Sequence, residues 1–311
     1  MSKFAIIADI TCDLGEQFQK EYDINVVPGH VVIPGKGDIQ SFLKWEIISR
    51  EEFYSALKKD PASFATSPPN TTEFALVMEK FAAENTDMLV MTISGGMSGT
   101  FGFACKAAEE VTAKYPNIKI RCIDTLRFGP GFGLMAIHAS MLRESGLSLD
   151  EVADKIEADK NRYHQAGWLD DLSFVAKKGR LTHSKAFFGT LVGVKPIGEF
   201  DYTGMTTVIG KAKGTRSAFS ALIDYISETI EDPSEQIIFI AQTNRLPQAQ
   251  EYKRLIEEKF KPKAVYINDV FPACGVNIGP GLMAAYYVGK PISSDLSVEK
   301  AIIEKSIAKG E

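Results

Sequence analysis

Three stretches of this 311-residue chain hold residues that could do chemistry, and the first is Ile93-Ser94-Gly95-Gly96-Met97-Ser98-Gly99-Thr100. It carries the hydroxyls Ser94, Ser98 and Thr100, several glycines and no charge. A continuous apolar run, 88–93, precedes it and predicts a buried strand, while an amphipathic run, 103–115, follows and predicts a helix. Glycine lets backbone approach a ligand closely, and the first N–H groups of a helix favour a negative group, so the expectation is an anion site. The second stretch is Ala65-Thr66-Ser67-Pro68-Pro69-Asn70-Thr71-Thr72. Its prolines keep it extended, and Thr71 or Thr72 is the expected cap of a helix reaching residue 85. The third, Phe271-Pro272-Ala273-Cys274-Gly275-Val276-Asn277-Ile278-Gly279-Pro280-Gly281, reads as a glycine-rich loop whose polar side chain is Asn277.

Other chemistries fit less well. A nucleophilic serine at a strand-to-helix elbow is written G-x-S-x-G, and Gly96-Met97-Ser98-Gly99-Thr100 has threonine at the last glycine. None of His30, His138, His164 and His183 can be assigned as its base, so a serine hydrolase or acyltransferase using Ser98 is the alternative and not the main reading. Gly129, Gly131 and Gly133 approach a dinucleotide fingerprint, but Leu134 stands where the last glycine belongs. There is no P-loop lysine, H-E-x-x-H or carboxylate cluster, so no cofactor or metal is expected. Asp9 and Asp13 read as caps before they read as cation ligands, and Lys177, Lys178 and Arg180 read as a solvated turn. Cys12, Cys105, Cys122 and Cys274 lack metal or disulfide spacing and read as free thiols.

The elements that must position these residues alternate. Strands are expected at 3–8, 24–32, 88–93 and 118–123, with helices at 16–22, 50–59, 72–85, 103–115, up to 145 and 149–162. Such βαβα alternation predicts a three-layer α/β domain with a parallel sheet, whose ligands bind at the carboxyl ends of the strands. Beyond residue 162 a hairpin is expected, 192–200 turning into 205–209, followed by helices at 215–229 and 246–260 and strands at 236–241 and 264–267. The expected organisation is an α/β parallel-sheet domain over 1–162 and an α+β mixed-sheet domain over 163–311, with a ligand cleft between them.

Composition narrows the function classes. Lysine and arginine number 35 against 40 acidic residues, for a net charge of -5, which leaves no footprint for nucleic acid. No apolar run approaches the roughly 18 residues of a membrane span, and the apolar start is broken by Asp9, so the expected location is the cytoplasm with at most transient membrane contact.

Taken in order, Asp9-x-Thr11-x-Asp13-Leu14, Thr66-Ser67-x-Pro69, Ile93 through Thr100, Asp124-Thr125 with Gly131-x-Gly133, Lys178-Gly179-Arg180-Leu181, Lys195-Pro196-Ile197 and Gly279-Pro280-Gly281 resemble the DegV family over nearly the whole chain. The resemblance implies a two-domain, non-enzymatic protein that binds a long-chain fatty acid and presents its carboxylate to a separate fatty acid kinase subunit. Binding of another anionic metabolite is a second alternative. Carried over residue by residue, the family's head-group hydroxyls fall on Thr66, with Ser67 beside it, and on Ser98, with Ser94 in the same loop. Gly95 stands where the family has a further serine, Asn277 where it has a histidine, Ile10 where its first motif has a serine, and Lys213 near its arginine. Asn277 offers a neutral donor in place of a cationic one, and a charge-assisted hydrogen bond is roughly twice as strong. For the acyl chain, the candidates to line an apolar slot are Phe187, Phe188 and Phe271, although such phenylalanines are more often core.

Overall fold

A computed structural model of the chain describes residues 4–182 and 193–310, so His183, Phe187 and Phe188 lie outside the described residues. The chain divides into two units, each discontinuous in sequence. Met1–Ile47, Asp60–Lys160 and Phe271–Val276 form the first, and Ile48–Lys59, Asn161–Val270 and Asn277–Glu311 form the second. Two short excursions, Ile48–Lys59 and Phe271–Val276, are thus grouped with the unit on the other side of residue 162.

In the first unit, β1 (Ala5–Asp9) and β6 (Met88–Thr92) are buried at every residue, as strands covered on both faces must be. With β2 (Ile24–Val27) and β7 (Ile120–Asp124) they form an all-parallel sheet in the order β2-β1-β6-β7. Helices α3 (Thr71–Ala82) and α4 (Thr100–Lys114) pack Phe74, Met78, Ala104, Ala107 and Val111 onto Ile7, Val27 and Val90. Helices α5 (Gly129–Glu144) and α6 (Leu149–Asp159) pack together elsewhere in the unit. Every one of these crossovers returns the chain to the same end of the sheet, so the loops after β1, β2, β6 and β7 gather at the carboxyl edge.

Some local expectations change for physical reasons. The apolar run 24–32 is two strands, because Pro28-Gly29 breaks it: β2 stays in the parallel sheet, and β3 (His30–Ile33) joins β4 (Gly37–Gln40) and β5 (Ala65–Ser67) in a separate antiparallel sheet. The cap of α3 is Asn70, not Thr71 or Thr72. Its side chain accepts the Glu73 N–H at 3.1 Å while Glu73 accepts the Asn70 N–H at 2.7 Å, a reciprocal box that a threonine one place later would miss. Ser148 and Glu151 form the expected box at α6. The glycine-rich segment at 129–133 is already helical, and a Cβ at Gly133 would meet Cys12 O at 2.6 Å, so glycine here lets α5 lie against the loop after β1.

The second unit is built on a six-stranded mixed sheet, in the order β10-β9-β8-β13-β11-β12. Its strands are β8 (Tyr163–Leu169), β9 (Val194–Phe200), β10 (Thr206–Lys213), β11 (Ile237–Gln242), β12 (Ala264–Asp269) and β13 (Leu282–Val288). Among these described strands only β11 and β12 pair in parallel. β9 and β10 are the expected hairpin, and β8 and β13 supply the buried centre. Helices α2 (Arg50–Lys59), α8 (Gly214–Thr229), α9 (Leu246–Phe260) and α11 (Ser297–Gly310) belong to this unit. The third glycine-rich stretch is not all loop, since residues 272–278 form α10 (Pro272–Ile278). Proline at a first helical position carries a preset φ and loses no hydrogen bond, which explains the start. Gly279 and Gly281, at φ +77° and +105°, end it.

Candidate functional site

The loop after β6 is densely hydrogen-bonded. Its N–H groups are taken up one after another by the protein itself. Ile93 donates to Asp9 Oδ2 at 2.7 Å, Ser94 to the Arg127 carbonyl at 2.9 Å, and Gly95 to Asp124 Oδ1 at 3.0 Å. Gly96 donates to Ser94 Oγ at 3.2 Å, while Met97 and Ser98 both donate to the Ser94 carbonyl, at 3.0 and 3.1 Å. The backbone donors expected to cradle an anion between 93 and 98 are therefore engaged. What the loop still presents is the half-buried Ser98 Oγ, 2.8 Å from the buried Thr100 Oγ1, at the start of α4. Gly99 caps that helix without a side-chain bond, and the first-turn N–H groups of Phe101 and Gly102 have no acceptor within the helix. Hydroxyl donors beside a helix N-terminus suit a carboxylate.

Two carboxylates and one buried cation do the organising. Asp9 is fully buried; besides Ile93 it accepts the Thr11 N–H at 2.8 Å and the Thr11 hydroxyl at 2.5 Å. Burial raises its pKa, against the hydrogen bonds from Thr11 and Ile93. Asp124, at the end of β7, also accepts the Leu126 N–H at 3.0 Å. Thr125 anchors the same turn through its hydroxyl to the Thr92 carbonyl at 2.7 Å. Arg127 is fully buried and gives Nη1 to the Leu126 carbonyl at 2.7 Å. Sequence reasoning quoted Asp124 only as a motif letter and passed over Arg127. An arginine one residue before Phe128 and the glycine-proline run was the available signal.

Of the expected site residues, Ser98 is half-buried and reachable, whereas Ser94 is fully buried and serves the loop through Gly96. Gly95 is exposed, and a Cβ there would lie 2.7 Å from Asp124 Oδ2, so the carboxylate sits where a side chain would be. Thr66 and Ser67 are not loop residues but form β5, opposite Val31 and His30 of β3. That strand is drawn to the same edge of the parallel sheet because β3 follows β2 directly, and a Cβ at Gly29 would meet the Ser67 carbonyl at 2.7 Å. Thr66 is half-buried and Ser67 exposed. Asn277 lies near the end of α10 and belongs to the second unit. Phe271 is buried and stacks on Trp45 at 5.4 Å between ring centroids, with its N–H on Asp13 Oδ1 at 3.2 Å, which is a packing role within the first unit.

The described histidines are occupied elsewhere. His30 bonds Glu73 at 2.7 Å, and His164 bonds the buried Glu199 at 2.8 Å in the second unit. His138 sits on α5, and burial holds its pKa down at about 4. Ser98 Oγ instead meets Thr100, a partner that cannot act as a general base at neutral pH. Among the described residues no group of three His, Cys, Asp or Glu side chains could hold a metal ion, and no helix is long and apolar enough to cross a membrane. All four cysteines are free thiols.

A family model described as "Uncharacterised protein, DegV family" matches residues 3–290. The chain belongs to the DegV family. A DegV domain-containing protein of Clostridium perfringens is 28% identical over 289 residues, covering 93% of this chain and 98% of its own length. Among solved structures, a fatty-acid-binding DegV family protein from Thermus thermophilus matches with a TM-score of 0.82 at 24% identity, covering 93% of this chain and all of that one. DegV of Bacillus subtilis, described as a fatty acid binding protein, matches with a TM-score of 0.77 at 22% identity, covering 93% of this chain and 100% of its own. The parallel sheet of the first unit and the mixed sheet of the second are thus the DegV fold.

Proposed function

We propose that this DegV-family protein binds a long-chain fatty acid, holds its carboxylate with loop hydroxyls, and hands the acid unchanged to a separate kinase subunit. The observation that carries the binding step is the half-buried Ser98 hydroxyl, backed by the buried Thr100 hydroxyl at 2.8 Å, at the open first turn of α4. A carboxylate taken out of water needs donors there, since an unpaired buried charge is costly. Each buried methylene adds about 0.8 kcal/mol, so the tail supplies most of the affinity and the head group sets register. Structural relatives described as binding fatty acids support this ligand class. Thr66 and Ser67 on β5 are further head-group candidates, and Asn277 enters through the family resemblance alone. The kinase partner likewise rests on that resemblance.

Native mass spectrometry of protein purified from cells, with lipid extraction, tests the reading. An acyl ligand should be found, and the free acid should raise the melting temperature more than its methyl ester does. If no acyl ligand co-purifies and no fatty acid shifts the melting temperature, the reading is wrong.

A further inference from the structure

The carboxylate of Asp124 does more than end a strand. It receives the Gly95 N–H on both oxygens, at 3.0 and 3.1 Å, and the Leu126 N–H at 3.0 Å. Gly95 begins the turn in which Met97 and Ser98 fold back onto the Ser94 carbonyl. That turn fixes where Ser98 Oγ meets Thr100. From the other side, Asp9 holds Ile93 and the Arg127 carbonyl holds Ser94, so the segment just before Gly95 is already anchored. Asp124 reaches in from β7 to fasten the glycine end of the turn, where Gly96 is held only by Ser94 of the same loop. Glycine at 95 is what leaves room for it, because a Cβ would lie 2.7 Å from Oδ2. Without Asp124, the pair Gly95-Gly96 would be free to sample many backbone conformations, and Ser98 would lose its fixed place.

We propose that Asp124 is a positioning residue for the ligand head group, acting through the Gly95 N–H to present Ser98, without touching the ligand itself. This rests on the fatty-acid reading above, and it assigns the affinity effect of one residue to the state of another. A thermodynamic cycle separates such a role from general loss of stability. Removing Asp124 should weaken binding by about tenfold when Ser98 is present and by less than about twofold when Ser98 is already alanine. An asparagine amide at this position keeps one acceptor oxygen, so D124N should recover much of what D124A loses.

The experiment measures fatty acid affinity by titration calorimetry for wild type, D124A, S98A and D124A/S98A, with D124N and G95A alongside. G95A drives a methyl group into the carboxylate's place, reaching the same contact from the other side, and serves should D124A fail to fold. Strong coupling between positions 124 and 98, with G95A resembling D124A, is the expected result. Additive effects, or a D124A or G95A protein that binds as wild type, would overturn the proposal. Amide hydrogen exchange over residues 93–98 needs no ligand. Exchange accelerated by about tenfold or more in D124A or G95A is expected, and unchanged protection overturns the positioning role even if no fatty acid binds. Failure of wild type to bind any fatty acid, with the exchange result intact, would instead count against the proposed function.

Discussion

Two pairs of carboxylates at strand ends, one pair in each unit, are put to opposite uses. In the first unit, Asp9 and Asp124 spend their oxygens on backbone N–H groups and so shape a loop. In the second unit, Asp170 follows β8 and pairs with two cations, Lys195 at the head of β9 and Arg245 before α9. Asp269, at the end of β12, pairs with Arg50 of α2 at 2.9 Å and accepts a bond from Gln242. A carboxylate spent on N–H groups fixes backbone in one conformation. A carboxylate spent on cations joins distant segments, here residues 50 and 269 or 170 and 245, and acts mainly as a fastener.

The difference can be broken in four measurements. Asp170→Ala leaves Lys195 and Arg245 facing each other in a partly buried setting and should cost about 2–3 kcal/mol in urea unfolding, below the fully buried case because Arg245 is a third exposed. Asp124→Ala loses two backbone contacts that the exposed Gly95 and Gly96 let water partly replace, and about 1–2 kcal/mol is expected. A larger loss at 124 than at 170 would reverse the comparison. Salt sharpens it: near 1 M sodium chloride the penalty of Asp170→Ala should shrink by about 1 kcal/mol, while that of Asp124→Ala stays within error.

Acid titration gives the smallest effect and the clearest sign. At Asp170 the burial that would raise the pKa is outweighed by Lys195 and Arg245, so the pKa lies below the ordinary 3.8. Its contribution to stability is present above 3.8 and lost as pH falls through the folded value. At Asp9 burial wins, and the pKa lies above 3.8. Its contribution is present below 3.8 and lost as pH rises through the folded value. Carbon-13 titration of the two side-chain carboxyls should show midpoints on opposite sides of 3.8, and midpoints on the same side would remove the contrast.

Much of the first unit was legible because local signals agreed there. Apolar runs of strand length, a capping box at Ser148 and glycines at the loop starts each point to the same βαβα plan, which the parallel sheet follows. Where local signals compete, reading by pattern went astray. Asn70 and two threonines all could cap α3, and only the reciprocal bond with Glu73 decides between them. Phe271 was open to a slot or, more often for its type, a core reading, and what places it in the core is a stack with Trp45, a contact 226 positions away in the chain. β8 and β13, the centre of the second sheet, were not assigned as strands at all, since uninterrupted apolar runs such as 282–288 fit a buried helix as well as a buried strand.

Residue order alone determined the family, through its ordered motifs, and also the two sheet types and the hydroxyl-bearing loop after β6, which follow from hydrophobic period and from glycine and proline positions that act within a few residues. Tertiary structure alone decided which donors remain for a ligand. Asp9 is 84 positions from Ile93 and Asp124 is 29 from Gly95, and whether a backbone N–H is free or already taken depends on which carboxylate the fold brings to within about 3 Å of it.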